Sequence, residues 1–219
     1  MKRTLTATAV FVAAVTPAAA QQARWSGPYI GAHAGFGSGD TKFSCIGDTS
    51  DCSPTDGKFR IEGALIGGQI GYNWTLKNGL VTGIEADLSF TDIEGDAFFG
   101  GKNQASSLNT MGTVRGRAGT HLTPDMIAFA TAGLAFGSFK DRALIAIDTN
   151  ESTKTSVGWT AGFGFEKAIS DRISLKAEYL YMDFGTASHS FTDSFAGTGT
   201  MKFDHDLHTF RIGLNFRLP

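Results

Sequence analysis

An all-β chain, closed as an eight-stranded antiparallel up-and-down barrel, is predicted by three features of the 219-residue sequence. Apolar and polar residues alternate with period two in eight separate segments, as strands between two unlike surroundings require. Short turn-forming links alternate strictly with long polar connections. The 28 glycines are too many for a helical bundle, where each would cost about 1 kcal/mol relative to alanine in a helix interior. Eighteen phenylalanines and a charged fraction of only 18% argue against a disordered chain. With a formal charge of −2, no basic excess points to nucleic acid.

The first twenty residues, MKRTLTATAVFVAAVTPAAA, carry the parts of a secretory signal. Lys2 and Arg3 open it, Leu5 to Val15 form a short apolar stretch, and Ala18-Ala19-Ala20 offer small residues for cleavage. The stretch is too short to span a bilayer as a helix, and Pro17 interrupts it. Residues 1–20 are therefore expected to be a cleaved signal peptide, and residues 21–219 a single barrel domain beyond the cytoplasm. Cys45 and Cys52 fit an oxidising destination and are expected to pair as a disulfide closing a small polar loop. A metal site there would need two further ligands, which the surrounding residues do not offer.

The strands follow in order. Residues 28–37 set Ile30, Ala32, Ala34 and Phe36 against Gly31, His33 and Gly35, and residues 62–74 set Ala64, Ile66, Ile70, Tyr72 and Trp74 against Gly67, Gln69, Gly71 and Asn73. The pattern is clearest in residues 80–90, where Thr82, Ile84, Ala86, Leu88 and Phe90 oppose Glu85, Asp87 and Ser89. In 108–121, Val114 and Ala118 oppose Thr113, Arg115, Arg117 and His121; in 127–139, Ala130, Leu134 and Phe136 oppose Thr131, Gly133 and Ala135. Residues 156–167 place Val157, Trp159, Phe163 and Phe165 opposite Thr160 and Glu166. Residues 173–182 place Leu175, Tyr179 and Tyr181 opposite Lys176 and Glu178. The last strand, 207–218, places Phe210, Ile212, Leu214 and Phe216 opposite Thr209, Arg211 and Asn215.

The links LKNG (76–79), LTPD (122–125) and ISDR (169–172) read as short periplasmic turns, and 38–61, 92–106, 140–155 and 184–206 as four long external loops. Bulk then decides which face meets lipid. Large aromatics crowd the apolar face, as at a membrane boundary, whereas the polar face is rich in glycine and threonine, as a narrow barrel interior would be. The polar face also carries four acids, Glu85, Asp87, Glu166 and Glu178, against four bases, Arg115, Arg117, Lys176 and Arg211. Turned into lipid at mid-depth, each base would cost about 2–4 kcal/mol. Enclosed, the eight can pair with one another. The expected lumen is thus plugged by salt bridges, too narrow and too crowded for a general pore.

The segments GPYIGAHAGFG (27–37), GLVTGIEADLSF (79–90), MGTVRGRAG (111–119), VGWTAGFGFEKAISDRISLKAEYLYMDFG (157–185) and FRIGLNFRL (210–218) resemble the alphaproteobacterial outer-membrane surface antigens, relatives of the opacity proteins and of the outer membrane protein A barrel. The resemblance implies a location in the outer membrane, lipid and lipopolysaccharide as surroundings, and insertion with periplasmic chaperones and the barrel assembly machinery. The expected protein is monomeric and non-enzymatic, working in envelope integrity and surface presentation, with no cofactor.

An alternative is haem or metal binding by the external segment Asp204 to His208, DHDLH, together with His189. Ser188, His189, Ser190 and Asp193 hold the ingredients of a lipid-modifying nucleophile, but sequence neighbours in a loop do not readily form a triad. His33 and His121 read as hydrogen-bonded interior groups.

Overall fold

The computed structural model describes residues 24–47, 57–99, 102–145, 148–193 and 197–219. Within them the chain forms β1 (Gly27–Gly47), β2 (Gly57–Thr75), β3 (Val81–Phe99), β4 (Lys102–Thr123), β5 (Met126–Ile145), β6 (Asp148–Ala168), β7 (Ile173–Asp193) and β8 (Gly197–Arg217). Each strand pairs antiparallel with its sequence neighbour, and β8 pairs back with β1, so the sheet closes. The signal segment 1–20 and Cys52 lie outside the described residues, and with them the expected pairing to Cys45.

The wall is staggered. Directly opposed residues lead from Phe216 on β8 through Ile30, Ile70, Ala86, Val114, Leu134, Trp159 and Asp183. The path regains β8 at Asp206, ten residues from where it left. Such a displacement tilts the strands by roughly 35–45° to the barrel axis.

The alternation places its two faces as lipid requires. Ile66, Phe90, Phe210 and Ile212 stand outward, each more than 60% exposed. Glu85 and Arg115, by contrast, are buried inside. The short links are tight turns at the end that also carries both ends of the described barrel. In LKNG, the Gly79 N–H donates to the Leu76 carbonyl at 2.9 Å, with Gly79 at φ +82°, a left-handed conformation that favours glycine. In LTPD, the Thr123 hydroxyl donates to Asp125 at 2.6 Å and holds that carboxyl below its ordinary value.

The four long connections differ from expectation. Most of 38–61, 92–106, 140–155 and 184–206 is strand, and the barrel wall continues through it. Strands of 19 to 22 residues are about twice what crossing a membrane needs. Their outer halves project beyond it as long hairpins. The physical reason lies in a reversal of the alternation. Within the membrane the apolar face looks out to lipid; beyond it, water lies outside, and the apolar face turns inward. On β2, Ile66 and Ile70 face out, whereas Phe59, Ile61 and Leu65 face in, with Lys58, Arg60 and Glu62 on the outside. The same inversion separates Val114 from Leu108 and Met111, Phe136 from Phe139, and Phe210 from Leu207.

One ladder is shorter than its neighbours. The pairing of β6 with β7 runs only from Ala168↔Ser174 to Trp159↔Asp183, although both strands continue outward.

Candidate functional site

The candidate site is the barrel interior. Two-residue spacing puts Glu85 with Asp87 on one face of β3, Arg115 with Arg117 on β4, and Lys176 with Glu178 on β7. Glu166 on β6 and Arg211 on β8 complete the set. All eight side chains are buried, none more than 8% exposed.

The register opposes Glu85 to Arg115, Glu166 to Lys176 and Glu178 to Arg211 on adjacent strands. The shortest ion pairs, however, also cross the lumen. Arg115 reaches Glu85 at 2.5 Å, Glu178 at 2.7 Å and Asp87 at 3.0 Å. Lys176 donates to both oxygens of Glu85, at 2.8 and 2.9 Å. Arg211 meets Asp87 at 2.9 Å, and Arg117 meets Glu166 at 2.6 Å. Arg117 also lies 3.7 Å from Glu85, which joins all eight groups in one network. Burying these charges is costly unless geometry and further hydrogen bonds answer them. Here four carboxylates face four cations, and neutral side chains bond to Glu85, Asp87 and Glu166, whereas Glu178 Oε2, among the described residues, has only Lys176 at 3.8 Å.

Gln69, Thr113 and Asn215 stand on the polar face the sequence predicts, whereas Tyr29 and Phe129 escaped the sequence reading. The Tyr29 hydroxyl donates to Glu85 at 2.7 Å and accepts from Arg117 at 3.2 Å. Thr113 donates to Asp87, and Ser174 and Asn215 donate to Glu166 at 2.5 and 2.8 Å. Gln69 in turn donates to Asn215. The Arg117 guanidinium stacks over the Phe129 ring at 4.1 Å, an attractive arrangement for a desolvated cation. Inward parity was the available signal for each. Aromatics such as Tyr29, Phe129, Phe139 and Phe184 therefore occupy the interior as well as the lipid face.

Beyond the ion pairs, towards the hairpins, the interior becomes apolar. Ile61, Leu65, Ile93, Leu108, Met111, Phe139, Met182, Phe184 and Leu207 pack there as one cluster. Towards the turns, Trp25 packs with Val81 and Ile127.

The histidines divide. His33 shares a hydrogen bond with Ser89 at 2.8 Å inside the barrel, and His121 meets the Gly79 carbonyl at 3.0 Å. The DHDLH segment is not a loop but part of β8, and strand parity splits it. His205 is buried in the interior, beside Thr41 at 3.1 Å and stacked on Phe139 at 4.2 Å. His208 lies on the outer surface, with Tyr179 at 2.6 Å. The two imidazoles stand on opposite sides of the wall, so they cannot share one ion or one haem. Among the described residues no group of His, Cys, Asp and Glu could hold a metal ion. The side chains of Ser188, His189, Ser190 and Asp193 lie outside the described residues.

Comparison with known proteins follows the geometry. Residues 6–217 match the family described as outer membrane protein beta-barrel domain. The chain is 36% identical over 205 residues to the 31 kDa outer-membrane immunogenic protein of Brucella melitensis, covering 88% of this chain and 83% of that one. It is 33% identical over 152 residues to a 22 kDa outer membrane protein of Rhizobium leguminosarum, covering 68% and 66%. Among solved structures, the outer membrane protein OprG of Pseudomonas aeruginosa shares the fold at a TM-score of 0.53 and 11% identity, covering 88% and 97%. The eight-stranded wall, its lipid-facing surface and these relatives together place the chain in the outer membrane protein beta-barrel family, as an outer-membrane, surface-antigen-like protein.

Proposed function

We propose that this protein is a non-enzymatic, monomeric barrel of the cell envelope. In this reading its lumen is closed by ion pairs, and its work is envelope integrity and surface presentation. The observation that carries the reading is the network from Glu85 to Arg211, which fills mid-barrel with side chains paired between adjacent strands and across the lumen at 2.5–3.0 Å. An apolar cluster packs above it. Eight strands enclose a space that side chains fill, whereas aqueous channels use sixteen or more. The charged groups are answered by one another and by neutral neighbours, which favours a structural role for them.

The outer halves of the strands rise above the membrane, and the connections between them are surface segments, which suits surface presentation. Outer-membrane lipid and lipopolysaccharide would surround the belt, and periplasmic chaperones and the barrel assembly machinery would deliver it.

Planar-bilayer recording of the purified folded protein tests closure. Silence, or brief openings of small amplitude, is expected; large and long-lived conductance would reject it. Detergent sensitivity of a deletion strain, restored by the wild-type gene, tests the envelope role.

A further inference from the structure

The residues before β1 fold across the periplasmic mouth. Trp25 is buried against Val81 and Ile127 and meets the edge of His121 at 6.4 Å between ring centres. Arg217, at the end of β8, donates to the carbonyls of Arg24 and Asp171, which fastens this segment to the turn between β6 and β7. Arg172 follows in the same turn. Three guanidinium groups are thereby gathered at one rim, and the Arg217 charge is felt by both Arg24 and Arg172. The carboxylate among them is Asp171, 3.3 Å from Arg24 and 89% exposed.

Arg24, Trp25, Ser170, Asp171, Arg172 and Arg217 border one small, half-open pocket of about 30 Å³. Trp25 brings to it a buried indole N–H with no acceptor among the described residues. Glu166 at the floor is already answered by Arg117, Ser174 and Asn215. The rim thus carries three guanidinium groups against one exposed carboxylate, together with the unanswered Trp25 indole N–H. A tetrahedral oxyanion suits non-coplanar donors of this kind, and guanidinium groups pair with phosphate oxygens bidentately.

We propose that the periplasmic mouth is a binding site for a phosphate group, held by Arg24, Arg172 and the Trp25 indole, with Arg217 fixing the segment that carries them. The phosphate belongs either to the headgroup of an inner-leaflet phospholipid or to a free phosphate of the periplasm.

The test uses the folded, indole-¹⁵N-labelled protein in maltoside micelles. Its three tryptophans give three indole signals, and Trp25→Phe identifies one of them. That signal is expected to shift saturably with phosphatidylglycerol or inorganic phosphate, and not with diacylglycerol. Saturation at lower concentration by phosphatidylglycerol assigns the site to a headgroup; saturation at lower concentration by inorganic phosphate assigns it to the free anion. R24Q combined with R172Q is expected to weaken binding about tenfold or more, and R172K to retain only part of what R172Q loses. Heat-modifiable gel migration checks folding, and R172Q alone replaces the double variant if that one does not fold. No shift with either probe, or a shift equal in the arginine variants, overturns the proposal.

Discussion

Arg115 and Glu178 sit on β4 and β7, strands that are not neighbours, yet their side chains meet at 2.7 Å across the lumen. The bond ties opposite walls together, which adjacent-strand pairing alone does not do. Arg115 also serves Glu85 and Asp87, so one guanidinium answers three carboxylates.

Replacing Arg115 by alanine strands those acids in a closed interior. The expected loss is about 3–5 kcal/mol of folding stability, read from urea titration of the protein in vesicles. Arg115→Lys is expected to recover only part of it, because a single ammonium cannot form the forked contacts.

The lipid boundary is tested from outside. Val114→Arg, at mid-depth on the outer face, is expected to cost about 2–4 kcal/mol in the same titration. Thr155→Arg also points outward, but it lies above the apolar belt and is expected to change stability by less than about 1 kcal/mol. Equal losses at the two positions would contradict the membrane placement.

The apolar cluster in the outer half is a core in its own right. Phe139→Ala removes a ring that touches both Phe184 and His205, at 5.1 and 4.2 Å between centres. A loss of about 3–5 kcal/mol is expected. Limited proteolysis should then cut the hairpins faster while the membrane-embedded half stays protected.

Gly79 carries the turn between β2 and β3 at φ +82°. Gly79→Ala is expected to destabilise by about 1–2 kcal/mol, and Gly79→Asn by less, since asparagine tolerates the left-handed region. Refolding yield and urea midpoint are the measurements.

Much of this architecture was legible in the sequence, and the reason is local. Strand parity groups residues on one face, and side-chain bulk and charge then decide which face is inside, so Glu85, Arg115 and Lys176 could be assigned to one interior. The hairpin extensions were not legible, because the apolar residues change sides at the membrane surface. Ile61 and Leu65 therefore fall out of phase with Ile66 and Ile70, and a search for one continuous pattern stops where the solvent changes. The cross-lumen partners were hidden for another reason. Alternation orders side chains along a strand, but which of them meet across the tube depends on its diameter and stagger. His205 and His208 show the converse error: close in sequence, they are separated by the thickness of the wall.

The ten-residue offset around the wall also restricts how the gene can change in length. Dropping a single codon from the middle of β3 would turn over every side chain on one flank of the break and hand either Glu85 or its neighbours to acyl chains. Insertions and deletions should therefore accumulate at the hairpin tips, where a change of count alters no parity, while the belt between them keeps its length.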